Sequence, residues 1–296
     1  MVKSGLVVRS YSGYYYVISD GMTITCKVKG HMKQKRFSLC TGDRVQLELD
    51  PENGTDEGMI TSVLPRKNYL ERPTVANLDL LVITSALVQP DFSFLIMDKL
   101  LVLAQAAKVP AVIVLTKADL ATPEQIDSIT SVYNNIGYET FVTSVKTGLG
   151  IETLRKRIAG KITAFGGPSG VGKSSALNAI QPGVMRTTGE VSSKIGRGKH
   201  TTRFTELIPF NGGYLADTPG FGNVLMDTVT SEILPACFPE FRKYEEECKF
   251  SPCSHTHEPV CGVKDAVKDG RIASSRYASY LSILEELKDN KVRNRR

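Results

Sequence analysis

The sequence predicts a multidomain chain of three successive fold classes: an all-β barrel over residues 1–66, an α/β part on a parallel sheet over 67–224, and a mainly helical part over 225–296. Three observations predict it. Residues 1–66 break into short alternating runs divided by Ser-Gly, Asp-Gly, Thr-Gly-Asp and Pro-Glu-Asn-Gly; from Leu80, apolar runs of strand length alternate with helical ones; and beyond Gly222 the strand pattern stops. A length of 296 residues allows two or three domains, and 41% hydrophobic with 23% charged residues excludes wholesale disorder, collagen-like repeats and coiled-coil arrays.

In the first part, strands are predicted at Leu6–Arg9, Tyr14–Ile18, Thr23–Val28, Arg44–Leu49 and Met59–Leu64. Alternation such as Val45-Gln46-Leu47-Glu48-Leu49 gives a strand one packed and one wet face, as a curved sheet requires. Five such strands suit a small barrel, of the OB-fold type first and the SH3-like type second. In the second part, Leu80–Thr84 and Ala111–Leu115 are apolar on both faces, the mark of buried parallel strands, and Phe94–Ala107 between them is helical. Thr122-Pro123-Glu124-Gln125 starts another helix, with Thr122 as N-cap, Pro123 in the first helical position and Gln125 closing a capping box. Strands at Thr140–Thr143, Ile162–Phe165, Phe204–Ile208 and Tyr214–Ala216 and helices at Glu152–Ile158 and Lys173–Ile180 follow. The third part closes on the amphipathic segment Ala278–Leu287 and a basic tail.

The longest nearly charge-free stretches, Leu80–Val88 and Leu100–Ala107, are about half of the roughly 20 residues that a bilayer crossing requires. Met1-Val2-Lys3-Ser4-Gly5 leads into no apolar leader segment, so a cytoplasmic location with no membrane partner is expected. Six cysteines are too few for a disulfide scaffold in a chain of this size. Cys248, Cys253 and Cys261 lie within fourteen residues together with His255 and His257, which points to metal. Cys26, Cys40 and Cys237 are scattered and read as core residues. With 37 Lys+Arg against 31 Asp+Glu, a net charge of +6 permits a polyanionic partner without requiring one.

Gly167-Pro168-Ser169-Gly170-Val171-Gly172-Lys173-Ser174 matches G-x-x-x-x-G-K-[ST] between an apolar strand and a helix, with Ser175 next. The glycines let backbone N–H groups wrap phosphates, the helix start favours negative charge, Lys173 reaches the outer phosphates and Ser174 ligates Mg²⁺. Asp217-Thr218-Pro219-Gly220 closes a strand as D-x-x-G, in which Asp217 holds Mg²⁺ through water and the Gly220 N–H senses the γ-phosphate. Thr116-Lys117-Ala118-Asp119 ends the strand Ala111–Leu115. There the Asp119 carboxylate can pair with guanine N1–H and the 2-amino group while Lys117 covers the ring; adenine presents the wrong donors. Ser144-Val145-Lys146 ends the next strand, with the Val145 N–H available to guanine O6. Base recognition thus precedes the P-loop, which precedes D-x-x-G, the order of a circularly permuted P-loop GTPase domain.

On these motifs the chain resembles, over essentially its whole length, the circularly permuted GTPases of small-ribosomal-subunit biogenesis, the RsgA (YjeQ/YloQ) type. The resemblance implies an N-terminal OB-fold, a permuted GTPase domain and a C-terminal zinc domain, acting late in small-subunit maturation with ribosome-stimulated GTP hydrolysis. Gly196-Arg197-Gly198-Lys199-His200-Thr201-Thr202 is similar to the family's switch I signature, with Lys199 where Arg is commoner. Thr116 stands where the guanine motif usually has an Asn that braces the P-loop, and Val145 where it usually has Ala.

After D-x-x-G, regulatory GTPases usually carry a Gln that orients the attacking water, but Phe221 stands here and slow intrinsic turnover is expected. His200 is the in-chain catalytic candidate, beside Thr201 and Thr202, one of which caps Mg²⁺ and the γ-phosphate, with Thr202 taken as the metal ligand; the resemblance implies the same role for this His, and contact with RNA is the alternative. Cys248-x₄-Cys253-x-His255-x₅-Cys261 offers three thiolates and an imidazole, a closed tetrahedral set for one structural Zn²⁺. His257 competes with His255, and the family's register favours His255. Lys27, Lys29, Lys33, Lys35 and Arg36, near Tyr14, Tyr15 and Tyr16, suit RNA on a barrel face; Arg186, Lys194, Arg197, Lys199 and Arg203 form a second basic cluster; Arg293, Arg295 and Arg296 offer a third contact. The chain reads as a monomeric GTPase that binds the small (30S) subunit and its rRNA in the GTP state, with Mg²⁺, and leaves after hydrolysis. A P-loop NTPase with a non-ribosomal partner and a passive rRNA-binding factor with a degenerate nucleotide site are the rival readings.

Overall fold

The computed structural model describes residues 2–29, 38–49, 56–184, 205–217 and 226–293. The chain forms two compact units: one from Met1–Leu81, Glu152–Phe165 and Ser174–Phe221, the other from Val82–Ile151, Gly166–Lys173 and Gly222–Arg296.

The first unit begins with β1 (Val2–Tyr11), β2 (Tyr14–Ser19), β3 (Met22–Val28), β4 (Arg44–Leu49) and β5 (Glu57–Val63), which close into a barrel in the order β1-β2-β3-β5-β4. Only β3 and β5 run parallel, and this connectivity is OB-like. The Ser12-Gly13 and Asp20-Gly21 turns place both central residues at positive φ, the I′ geometry whose twist matches paired strands. Strand β1 is longer than its apolar centre suggests because it serves two partners: Val2 to Leu6 face β4, and Leu6 to Tyr11 face β2. A register shift between Val7 and Arg9 accompanies the change of partner, the local bend that barrel closure uses. Val7, Val17, Ile24, Cys26, Val45, Leu47 and Ile60 fill the interior. A short hairpin follows, β6 (Tyr69–Leu70) with β7 (Val75–Ala76); two-residue strands leave no periodicity for sequence reading to find.

The remaining strands are β8 (Leu80–Ala86), β9 (Ala111–Thr116), β10 (Thr140–Val142), β11 (Ile162–Gly166), β12 (Glu206–Phe210) and β13 (Gly213–Asp217), in the sheet order β10-β9-β8-β11-β13-β12. The pairs β10–β9 and β11–β13 are parallel, while β12 returns antiparallel to β13. All seven residues of β8 are buried, the apolar run Leu80–Ile83 and the polar Thr84 and Ser85 alike, as a strand covered on both faces requires. Strand β12 lies two residues later than predicted. The reason is the Asn211-Gly212 turn, with φ of 49° and 74°, which pairs Phe210 with Gly213 and so fixes where the hairpin begins.

Helices α1 (Phe94–Ala106), α3 (Ile151–Ile158) and α4 (Lys173–Ile180) fall where predicted, within a residue, and α2 (Pro123–Asn134) starts where predicted. The Thr122–Gln125 capping box is formed in both directions. Downstream come 3₁₀ turns at Pro235–Cys237 and Pro239–Glu247, then α5 (Gly262–Lys268) and α6 (Ser274–Arg293). Phe238, Phe241, Tyr280 and Ile283 pack with Val102 and Leu103 of α1 into the second unit's core. Inside it Arg276, fully buried, donates to Asp98 Oδ1 at 2.6 Å and Glu240 Oε1 at 2.7 Å and stacks on Phe238. Tyr133 of α2 donates to the same Asp98 oxygen at 2.9 Å. Among the described residues no helix is long and apolar enough to cross a membrane.

Candidate nucleotide site and metal centre

The phosphate loop leaves β11 and enters α4, the strand-loop-helix context its motif requires. Gly167 sits at φ 140°, and a Cβ there would lie 2.0 Å from the Thr84 carbonyl oxygen, so no side chain fits. Lys173 Nζ donates to the Gly167 and Pro168 carbonyls at 2.7 and 2.5 Å, and burial pushes its pKa down. Ser169 and Gly170 at the loop tip and Ser174 and Ser175 at the helix start are exposed, whereas Val171 is buried.

Strand β9 delivers Thr116 and Lys117 directly against this loop. The buried Thr116 hydroxyl donates to the Val171 carbonyl at 2.5 Å, with the Ser85 carbonyl at 3.3 Å as a second acceptor. It spans to the loop in the place where an Asn side chain was expected to do so. Lys117 adopts a left-handed backbone, φ 59°, and its ammonium donates to the Gly170 carbonyl at 3.0 Å and to the Gln89 carbonyl. Gln89 was not anticipated; the Gln-Pro pair just after an apolar strand was the only trace of it. The two residues thus clasp the consecutive carbonyls of Gly170 and Val171.

The 3₁₀ turn Ala118–Leu120 carries Asp119, and the Ala118 N–H donates to the Thr143 carbonyl at 3.1 Å, tying this turn to the end of β10. Ser144 then donates to Asp119 Oδ1 at 2.6 Å, while its own oxygen accepts from the Thr147 N–H. The Ser144 hydroxyl, with Lys146 Nζ at 4.0 Å, holds the Asp119 carboxyl below the usual carboxylate range, so it presents an acceptor at neutral pH. Val145 is exposed beside it. Asp217 ends β13, paired in register with Glu206. Gly220, Phe221, His200, Thr201 and Thr202 lie outside the described residues.

Cys248, Cys253, His255 and Cys261 converge, with all ligand atoms within 4.8 Å of one another. Bonds of about 2.3 Å to sulfur and 2.0–2.1 Å to nitrogen set tetrahedral ligands about 3.8 Å apart for two sulfurs and about 3.6 Å for sulfur and nitrogen. The corresponding separations are 3.9 Å for Cys248–Cys261 and 3.7 and 3.4 Å from His255 Nδ1 to Cys248 and Cys261. The four residues therefore fit a tetrahedral thiophilic ion. His255 is buried, and burial keeps its imidazole neutral, the ligating form. His257 points elsewhere, exposed and bonded to Thr256, which decides between the two histidines on position. The loop is held from outside: Tyr277 and Tyr280 of α6 donate to the His255 and Ser254 carbonyls at 2.7 and 2.6 Å. Glu258 accepts from the Ser254 hydroxyl and from the Ser254 and Thr256 amides, which outweigh burial and bring its carboxyl to about 2. Cys26, Cys40 and Cys237 are buried, as read from their spacing.

On the barrel, Lys27 lies over the Tyr14 ring at 5.2 Å and Arg9 over Tyr16 at 4.1 Å, with Tyr14 exposed. Strand pairing brings the acidic Glu48 within 3.7 Å of Lys29. Lys33, Lys35 and Arg36, the cluster Arg186, Lys194, Arg197, Lys199 and Arg203, and the terminal Arg295 and Arg296 lie outside the described residues; Arg293 closes α6.

Comparison with known proteins agrees with this geometry. The RsgA N-terminal domain matches residues 4–60 and the RsgA GTPase family residues 63–227. A Geobacillus protein named small ribosomal subunit biogenesis GTPase RsgA is 41% identical over 99% of this chain and 100% of its own length. A Moorella thermoacetica protein of the same name is 44% identical over 96% of this chain and 97% of its own. Among solved structures, YjeQ from Thermotoga maritima superposes with a TM-score of 0.83 at 38% identity, covering 97% of this chain and 99% of that one. YloQ, described as a circularly permuted GTPase, gives 0.81 at 34%, covering 98% and 96%. With an OB-like barrel, a P-loop that follows the base motif in the chain and a Cys₃His cluster, this chain belongs to the RsgA family of circularly permuted GTPases.

Proposed function

We propose that this GTPase binds the small ribosomal subunit in its GTP state, acts in late maturation of that subunit, hydrolyses GTP faster when bound to it, and leaves as the GDP form. The clasp of Thr116 and Lys117 on the P-loop, beside Asp119 braced by Ser144, carries the guanine-nucleotide part of the reading. The names of relatives matched over nearly their full length support the ribosomal part. In this reading Thr116–Asp119 and Ser144–Lys146 hold guanine, and Gly167–Ser175 with Thr201, Thr202, Asp217 and Gly220 hold the phosphates. Mg²⁺ falls to Ser174, Thr202 and Asp217, hard oxygen donors of the kind that ion prefers, and Zn²⁺ to the Cys₃His set. His200 orients water.

The domain limits 1–66, 67–224 and 225–296, a monomeric state and a cytoplasmic location belong to the same proposal. The barrel's stacked Arg–Tyr and Lys–Tyr pairs suit rRNA. Co-sedimentation with purified small subunits tests it: retention with a non-hydrolysable GTP analogue and loss with GDP is expected. Equal retention in both states would return the chain to a passive rRNA-binding factor.

A further inference from the structure

Strand β12 starts against the barrel. Thr41, in the turn before β4, is 2% exposed and donates its hydroxyl to the Thr205 carbonyl, itself buried, at 2.7 Å. One residue on, Glu206 lies 3.7 Å from Arg9 of β1, whose guanidinium is stacked on Tyr16. The Thr41 turn is itself held by hydrogen bonds from several elements. Its carbonyl accepts from the Ala76 N–H, the Gly42 N–H donates to the Val7 carbonyl, and Asn77 donates to the Gly42 carbonyl at 2.9 Å. Asp43 next to it receives Arg66 through two hydrogen bonds, at 2.6 and 2.8 Å.

Thr205 and Glu206 occupy a consequential place. Glu206 pairs in register with Asp217, the candidate Mg²⁺ residue at the end of β13. Thr205 is three residues from Thr202 and five from His200, so the chain cannot carry them farther than about 11 and 18 Å from it. A carbonyl pinned at Thr205 therefore limits where both can go.

We infer that Thr41 is a positioning residue for GTP hydrolysis, through which the N-terminal barrel fixes the start of β12 and thereby the two segments, one ending at Thr202 and one at Asp217, that meet the γ-phosphate and its metal. The inference rests on the proposed assignment of Thr202, His200 and Asp217, and it adds a route by which a ligand on the barrel reaches the chemistry. Nucleotide affinity is not where the effect falls, because the base clasp and the P-loop carbonyls have their own partners.

The test is steady-state GTP hydrolysis by the full chain, with and without purified small subunits, for wild type, Thr41→Val, Thr41→Ser and Glu206→Gln. Loss of one hydrogen bond predicts that Thr41→Val lowers kcat about 2- to 12-fold, with KM for GTP and Kd for GDP unchanged and Thr41→Ser restoring the rate. Glu206→Gln, a change at a half-buried side chain outside the barrel's apolar interior, moves kcat in the same direction and decides the matter should Thr41→Val fail to fold. Wild-type kcat in both variants overturns the inference. So does a loss confined to KM or to the subunit concentration for half-stimulation, or one that Thr41→Ser does not restore. A wild type that subunits do not stimulate would defeat the ribosomal reading alone, since the subunit-free kcat ratios still decide this one.

Discussion

Replacing Thr116 with Val removes one hydroxyl and keeps the shape of the side chain. Thr116 is 4% exposed and the residue it binds, Val171, is 1% exposed, so no water replaces the lost donor and the Val171 carbonyl is left without it. A net hydrogen bond contributes about 0.5–1.5 kcal/mol, and a buried group left unsatisfied costs up to about 3 kcal/mol. Because Val171 lies in the phosphate loop, the loss falls on the part of the ligand that the loop holds. At about 1.4 kcal/mol per tenfold, GDP affinity falls roughly 2- to 140-fold over that range, while GMP, which has no β-phosphate, loses less. Calorimetric titration of both nucleotides gives the ratio directly, and Thr116→Asn, with a longer side chain and a donor of its own, recovers it. Equal weakening of GDP and GMP would refute the clasp, because the hydroxyl would then act through the fold and not through the loop.

Three further outcomes are expected. Asp119→Asn exchanges an acceptor for a donor at the base, so competition binding shifts from GTP towards XTP; unchanged preference would remove Asp119 from base recognition. Cys253→Ser, or a chelator on the wild type, takes zinc from about one per chain towards none and exposes the segment around Phe250 to proteases, as metal analysis with limited digestion would show; full zinc retention would contradict the four-ligand set. Arg276→Met leaves Asp98 and Glu240 buried without their cation and costs about 3–5 kcal/mol, read as faster hydrogen exchange along α6. Converting all three residues to neutral partners recovers most of that loss, and failure to recover would mean that packing on Phe238 dominates.

The parts of the fold that were legible in the sequence are those where one physical rule acts alone. The apolar run Leu80–Ile83 that opens β8 and the Thr122–Gln125 box each point to one element, and both are found. The alternating pattern understates β1 because its ends are held by pairing, the first with β4 and the last with β2. Strand β12 lies later than its apolar residues suggest because the Asn211-Gly212 turn sets the hairpin register. At the site, the phosphate and base motifs were visible as spacing. Gln89 was not, since it acts through a backbone carbonyl that any residue supplies. Arg276 was also hidden, because a buried cation is indistinguishable in sequence from a surface one; its partners Asp98 and Glu240 lie 178 and 36 residues away.

The most direct test of the central claim is the rate of GTP hydrolysis with and without purified small ribosomal subunits, using large subunits and ATP as controls. A large increase confined to GTP and to small subunits is the predicted result. An unchanged rate, with GDP binding intact, would contradict a subunit-triggered GTPase and leave a permuted nucleotide switch whose trigger is another molecule.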